Sequence, residues 1–150
     1  MAALTLQTNL GVITADIAAG LQKLADKEYI PRLVAFDIID VMTMRIHERG
    51  LASDGAPIGT YSKDYLSLRQ RKYERNSDPK VIVSLTRQLE NDWSVIATDD
   101  GYGIGFKNPI NLDKFRWVEE NKDRDIGDLT TEEQNIVNDI IERLVDDALK

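Results

Sequence analysis

The stretch PRLVAFDIIDVMTMRIHER, residues 31–49, is unusually apolar for a helix-length segment of this 150-residue chain. Its polar residues Asp37, Asp40 and His47 fall near one stripe, at spacings of three and seven. A helix with this composition is covered on more than one side, as a central core helix or a helix between subunits would be. We expect Gly50, which follows directly, to end the helix.

The segment before this helix also has helical spacing. Thr14 is a suitable capping residue, and apolar positions recur at Ile17, Leu21 and Leu24. Pro31 interrupts the pattern, because proline is tolerated in the first turn of a helix but costs about 3 kcal/mol inside one. The sequence therefore predicts either two helices that meet near Tyr29, or one long N-terminal helix kinked at Pro31.

Residues 51–80 differ from the segments around them. They begin with a turn-rich stretch that contains Gly55, Pro57 and Gly59. Tyrosines and basic residues then alternate, and residues 63–80 hold six basic and three acidic side chains, a local charge of +3. We predict an extended arm over residues 51–80 with a short helix around Asp64–Tyr73.

A β-hairpin is predicted after this arm. Asp99-Asp100-Gly101 is turn sequence, because Asp-Gly tolerates the positive φ of a tight turn. Its strands are expected at about Trp93–Thr98 and Tyr102–Lys107. Val81–Val83 is a further strand candidate, and a helical turn is expected before the hairpin from the fourfold spacing of Leu85, Leu89 and Trp93.

The rest of the chain is predicted to be helical. Leu112–Glu120 has the pattern of a short aromatic helix, with Phe115 and Trp117. A C-terminal amphipathic helix begins after Thr130, because Thr130 and Glu133 form a capping box and Leu129 is placed as a hydrophobic staple. Together these elements predict a single α+β domain over residues 1–150.

Composition excludes several classes of protein. With 19 basic and 26 acidic residues the net charge is −7, which argues against a protein that binds nucleic acid or anionic membrane over its whole surface. No apolar run approaches the ~18 residues that span a bilayer. The absence of cysteine from the sequence excludes a disulfide framework, a zinc knuckle and a thiol nucleophile.

Catalytic and metal sites are not predicted either. His47-Glu48 begins like the zinc-protease helix motif, but Leu51 stands where that motif needs its second histidine. We expect His47, the only histidine, to be a polar residue at a helix end that bonds nearby carbonyl groups. No serine lies in a nucleophile-elbow sequence. The sequence therefore predicts no enzyme activity and no cofactor.

Gly101, Gly103 and Gly105 alternate along the return strand and project to the same side of it. Two interpretations stay open. A neighbouring backbone could approach this bare face closely, or the glycines are an irregularity of the sheet beside a turn. The context differs from a dinucleotide-binding loop, which follows a strand and opens a helix.

Charge is divided unequally along the chain. The basic arm could bind nucleic acid through phosphate contacts and base stacking, form a solvated face, or dock on an acidic neighbouring subunit. Residues 119–150 carry eleven acidic and four basic side chains. The candidate subunit interface comprises Tyr61, Tyr65, Arg69, Arg71, Tyr73, Arg75, Gly101, Gly103 and Gly105, and the candidate acidic partner or channel face comprises Asp139, Glu142, Asp146 and Asp147.

The order of motifs resembles a known family. Arg45-Ile-His-Glu-Arg-Gly50 is followed by Tyr65-Leu-Ser-Leu-Arg69, Val83-Ser-Leu-Thr-Arg87-Gln-Leu89, Trp93-Ser-Val-Ile96, the hairpin to Phe106, and a last helix that opens with Thr-Thr-Glu-Glu. Over about residues 30–149 this succession is similar to the tailed-bacteriophage virion morphogenesis proteins, the neck, head–tail joining and tail-completion group. Members usually have glycine in the turn where this chain has Arg87 or Gln88.

The resemblance implies a structural subunit rather than an enzyme. It implies a homo-oligomeric ring, six- or twelve-fold, in the neck or tail region of the virion, made in the host cytoplasm and joined to portal or adaptor proteins and to tail proteins. DNA would pass through the lumen without sequence-specific binding, and no membrane is involved. Complementary patches on two sides of a subunit are what a closed ring needs. The alternative is a small nucleic-acid-binding protein that uses the basic arm.

Overall fold

A computed structural model describes residues 10–26, 28–99 and 101–150. The helices are α1 Leu10–Ala25, α2 Tyr29–Thr43 with a π-helical continuation Met44–Arg49, α3 Lys63–Tyr73, α4 Gln88–Asp92, α5 Pro109–Lys122 and α6 Thr131–Ala148; the strands are β1 Trp93–Thr98 and β2 Gly101–Phe106. The mixture of helices with a two-stranded antiparallel sheet confirms the predicted α+β class. None of the described helices is long and apolar enough to cross a bilayer.

Two helices, rather than one kinked helix, precede Gly50. α1 ends at Ala25 and α2 begins at Tyr29, so that Pro31 lies in the first turn of α2, where a missing N–H is tolerated. α1 begins at Leu10, and the prediction of a start near Thr14 was therefore wrong. Threonine inside a helix costs only tenths of a kcal/mol, roughly, so its capping preference does not have to end the helix there.

Gly50 ends the second helical segment as predicted. Its φ is +65°, in the left-handed region, and a Cβ at this position would lie 2.1 Å from the carbonyl oxygen of Val81. Both the conformation and the close approach require glycine. α2 buries Ala35, Ile38 and Met42, whereas its residues Phe36 and Val41 are exposed.

The core lies between α2, the hairpin and α5. Trp93 and Phe106, which pair across the hairpin, contact Phe115 of α5 with ring centroids 5.7 and 5.4 Å away. Ile46 and Ile126 are fully buried beside them. α5 extends beyond the predicted Leu112–Glu120 at both ends. It begins earlier because Asn108 caps its first turn and Pro109 fits the first helical position.

The hairpin has the predicted position. β1 matches Trp93–Thr98, and β2 begins at Gly101, one residue before the predicted start and with a φ of +133°. Asp100 of the predicted turn lies outside the described residues. At the base of the hairpin the carboxylate of Asp92 accepts hydrogen bonds from Asn111 and from the backbone N–H groups of Lys107 and Asn108, and these bonds lower its pKa.

The start of α6 is joined to α2 by a buried ion pair. Thr130 and Glu133 form the predicted capping box. The other carboxylate oxygen of Glu133 accepts from Nε of Arg45 at 2.6 Å, and both side chains are buried. Arg45 also donates to the carbonyl oxygens of Leu51, Ile126 and Asp128. It therefore connects its own helix to the loop that follows it and to the loop between α5 and α6.

Candidate functional site

The candidate site lies around residues 81–85, a buried segment in the middle of the chain. The prediction of a strand at Val81–Val83 was wrong, since this segment pairs with no strand among the described residues. An isolated β-bridge joins Thr60 to Lys80, directly before the segment. The carbonyl groups of residues 82–85 instead accept hydrogen bonds from side chains, and the N–H groups of Val81 and Val83 donate to the carbonyls of Gly59 and Ile46. A run of β-branched residues resembles a strand in sequence whichever groups satisfy its backbone.

Four side chains bind this segment. Nδ1 of His47 donates to the carbonyl of Val83 at 2.7 Å, which confirms the prediction that His47 bonds a nearby carbonyl group. The hydroxyl of Tyr61 donates to Ile82 O at 2.5 Å and accepts from Ile82 N at 3.2 Å. Arg69 and Arg75 complete the set by donating to the carbonyls of Ser84 and Leu85.

The basic tyrosine-rich arm is therefore folded against its own chain. It contains α3, close to the predicted Asp64–Tyr73, and Ser62 caps that helix. Arg69 is only 4% exposed and its Cζ lies 4.3 Å from the centre of the Tyr61 ring. The prediction that residues 51–80 form an extended arm was wrong, because polar side chains of the arm satisfy the buried carbonyls of residues 81–85.

The structure divides the predicted interface residues into two groups. Tyr61, Arg69 and Arg75 form hydrogen bonds to the chain's own backbone. Tyr65 and Arg71 are exposed on α3, whereas Tyr73 is half-buried with the ammonium group of Lys72 5.5 Å from its ring centre. Contacts of these residues with a neighbouring subunit stay predictions.

Two of the three glycines of β2, Gly103 and Gly105, face side chains of β1. A Cβ on Gly103 would lie 3.5 Å from the Thr98 side chain, and a Cβ on Gly105 would lie 3.0 Å from Ile96. Side chains of β1 thus lean diagonally across the positions that glycine leaves bare. Within one chain, this face of the hairpin is partly covered by β1 itself.

The predicted acidic face lies on α6. Asp139, Glu142, Asp146 and Asp147 are all exposed, and Asp147 accepts from Lys150 at 3.1 Å. Exposed charges of one sign along a helix raise the local concentration of cationic partners. Whether this face meets a basic partner or a DNA channel stays a prediction.

An apolar groove lies between residues 81–85, α3 and α5. Its cavity volume is about 440 Å³, in the range of pockets that bury small ligands or several side chains. The aromatic walls are Tyr61, Tyr65 and Trp117, and Trp117 is 64% exposed. Leu89 and Val118 contribute apolar lining. We call this cavity the aromatic groove.

His47, the only histidine of the sequence, is not among the residues that line the groove. His47 lies behind residues 81–85, and burial lowers the pKa of its imidazole. Because its Nδ1 must carry a proton to bond Val83, protonation would occur at Nε2, which is buried and has no hydrogen-bond partner in the described part of the chain. No group of three or more potential metal ligands occurs among residues 10–26, 28–99 and 101–150.

Sequence reasoning missed two features. The Arg45–Glu133 pair joins residues 88 positions apart, although each belongs to a motif quoted above. The second is an exposed row of apolar side chains on α1, formed by Ile13, Ile17 and Leu21, with Val12 exposed beside it. Fourfold spacing identified two of these residues as the apolar face of a helix but did not show whether that face is covered.

Comparisons with known proteins found no match. No family model, no curated protein and no solved structure matches the chain.

Proposed function

We propose that the protein is a structural subunit of a ring in the neck or tail-completion region of a tailed bacteriophage. In this function, copies surround the DNA channel and join portal or head-completion proteins to the tail, without catalysis. The protein is made in the host cytoplasm and becomes part of the virion. The proposal is carried by one observation: large apolar side chains are exposed on α1 and α2, as in a subunit that packs against other copies.

The exposed apolar surface is extensive for a chain of this size. Besides the row on α1, side chains of α2 and its continuation are exposed; they are Phe36, Val41 and Met44. Single exposed apolar residues are normal, but clusters of them mark interaction surfaces. Helix 31–49 was predicted to be covered on more than one side, and a neighbouring subunit would cover the side chains that remain exposed.

Opposite charges on different parts of the surface also support a ring. α3 carries the exposed basic residues Lys63, Arg71 and Lys72, whereas α6 presents a row of exposed carboxylates. Two different but complementary surfaces on one subunit produce a heterologous interface, which closes into a ring when the rotation is suitable. Charge pairing would then steer neighbouring copies into register.

The family resemblance gains support from backbone conformation. Members usually have glycine in the turn near residues 87 and 88, and here Arg87 has a φ of +64°. Left-handed backbone favours glycine, so this chain keeps the conformation without the residue that favours it most. The departure in sequence is therefore consistent with the same local fold.

Electron microscopy of the protein with its portal and tail partners tests the proposal. The purified chain would be mixed with portal and tail proteins of the same phage and then imaged. We expect a ring of density on the portal or at the end of the tail. Failure of the chain to bind either partner or to form a ring would contradict the proposal.

Nucleic-acid binding is the alternative that this test must separate. Since Arg69 and Arg75 are occupied inside the chain, a phosphate-binding surface on α3 would use Lys63, Arg71 and Lys72. Alanine at these three positions leaves the buried bonds intact. Tight, salt-sensitive binding of DNA fragments that this triple variant abolishes would favour the alternative over the ring.

A further inference from the structure

We infer that the aromatic groove binds a small organic anion, an aromatic ring that carries a carboxylate. Such a binding site goes beyond the proposed ring function and does not depend on it. The groove has a buried cation in its wall, and no carboxylate in the described part of the chain pairs with that cation.

Arg69 supplies this positive charge. The residue is only 4% exposed, yet it is among those that line the groove. Its Nη2 donates to the carbonyl of Ser84 at 2.9 Å, and its Cζ lies 4.3 Å from the centre of the Tyr61 ring. Both of these partners are uncharged, and no ion pair within residues 10–26, 28–99 and 101–150 includes Arg69. A buried cation without a counter-ion is costly, so an anion that enters the groove would offset that cost.

Lys122 adds a second cation to the lining of the groove. Its ammonium group donates to the carbonyl of Thr60 at 2.8 Å and, like Arg69, forms no ion pair with the described residues. No aspartate or glutamate is among the described residues that line the groove. The charged lining is therefore entirely basic, which favours an anionic ligand.

The remaining lining is mainly aromatic and aliphatic. Three rings line the cavity, those of Tyr61, Tyr65 and Trp117. The aliphatic lining residues are Val81, Ile82, Val83, Leu85, Leu89 and Val118. A cavity of about 440 Å³ has the size of a small-molecule site. Aromatic walls favour a planar ring, and a guanidinium group binds a carboxylate through two parallel hydrogen bonds. The lining thus specifies both ends of the ligand.

A polynucleotide fits the groove less well. Its successive phosphates need a track of cations, whereas the basic residues in the lining are Arg69 and Lys122 alone among the described residues. The exposed basic residues of α3, which are Lys63, Arg71 and Lys72, lie outside the lining. A ligand with a single negative charge therefore matches the groove better.

Two probes of nearly the same shape test the site on the intact chain. They are 1-naphthylacetate, which carries a carboxylate, and the uncharged 2-(1-naphthyl)ethanol. Isothermal titration calorimetry should give a Kd for the carboxylate about tenfold below that for the alcohol, because a hydrogen bond to a charged group is stronger. In an NMR titration the indole N–H signal of Trp117 should move, whereas that of Trp93, which is buried in the core, should not.

Two variants of the lining locate the binding. Lys122→Met should weaken binding of the carboxylate several-fold and leave binding of the alcohol unchanged, and Trp117→Ala should weaken both. Lys114→Met is the matched control on α5, because Lys114 bonds Gln88 at the surface and lies outside the lining. Circular dichroism would show that each variant folds, which is expected because Trp117 is 64% exposed and the Lys122 ammonium gives up one surface bond.

Equal affinities for the two probes, no binding of either, or equal effects of Lys122→Met and Lys114→Met would overturn the inference. Chemical-shift changes on α1 in place of Trp117 would also overturn it, because the probe would then bind an exposed apolar surface. Displacement of the carboxylate by short DNA fragments would identify a polynucleotide as the occupant. A Kd that rises with the concentration of the chain would identify a second copy as the occupant, and either result would reject a small organic anion.

Discussion

Individual buried polar residues determine how the helices and loops of this protein are joined. Arg45 bonds one carboxylate and three carbonyl groups from parts of the chain that are distant in sequence. A buried ion pair does not have to stabilise a fold relative to apolar residues, but loss of one partner leaves an uncompensated charge. The Arg45–Glu133 pair therefore makes the positions of α2 and α6 depend on each other.

Arg45→Met should destabilise the protein strongly. The substitution leaves Glu133 charged and buried, and such losses typically cost about 3–5 kcal/mol in the free energy of unfolding. Arg143→Met is the matched control, since Arg143 pairs with Asp37 at the surface and exposed pairs contribute less than about 1 kcal/mol. Urea unfolding measures both variants, and similar losses would contradict the role given to Arg45.

His47 should make stability depend on pH. Burial lowers its pKa below the value of about 6.5 in the unfolded chain, so between these two values the unfolded state binds more protons. The free energy of unfolding should then be greatest above about pH 6.5 and fall as the pH drops through that value toward the folded-state pKa. The slope cannot exceed about 1.4 kcal/mol per pH unit for one group.

His47→Asn separates this effect from carboxylate titration. An asparagine amide can still donate to the carbonyl of Val83 but has no ionisation in this range. Urea unfolding between about pH 7 and about pH 5.5 should show a smaller loss of stability for the variant than for the wild type. Parallel curves for the two proteins would contradict the assignment to His47.

At the scale of elements, the sequence predicted the structure correctly where residues close together in the chain determine it. The β1 strand and the capping box of α6 were predicted correctly, because strand alternation and capping involve residues near one another. The error at Val81–Val83 has a different cause. Its side-chain partners come from residues up to 36 positions away, and no local pattern indicates that side chains will replace a neighbouring strand.

Arg87→Gly should stabilise the turn before α4. Arg87 has left-handed backbone, which costs a non-glycine residue about 1–2 kcal/mol. Glycine avoids this cost but loses part of the gain, because glycine makes the unfolded chain more flexible. A net gain of about 0.5–1 kcal/mol is expected. Gln88→Gly, one residue later in the helix, should cost a similar amount. Thermal unfolding of the two variants should shift in opposite directions, and destabilisation by Arg87→Gly would contradict this account of the turn.

At the scale of the whole molecule, the sequence showed how charge is distributed but not which groups each charged side chain contacts. Charge counting correctly separated a basic segment from an acidic one. It assigned the linking role to residues 51–80, although Tyr61, Arg69 and Arg75 of that segment bind residues 82–85. A sequence shows which side chains can form bonds but not which partner they meet first, and the exposed row on α1 became evident only from the fold.

The most direct test of the central claim is native mass spectrometry of the intact chain, alone and with its portal and tail partners. We expect closed multimers of six or twelve copies, formed by the chain itself or on those partners, and their loss in an Ile17→Asp variant that still folds. A protein that stays monomeric at every concentration, and also with the portal and tail proteins present, would contradict it.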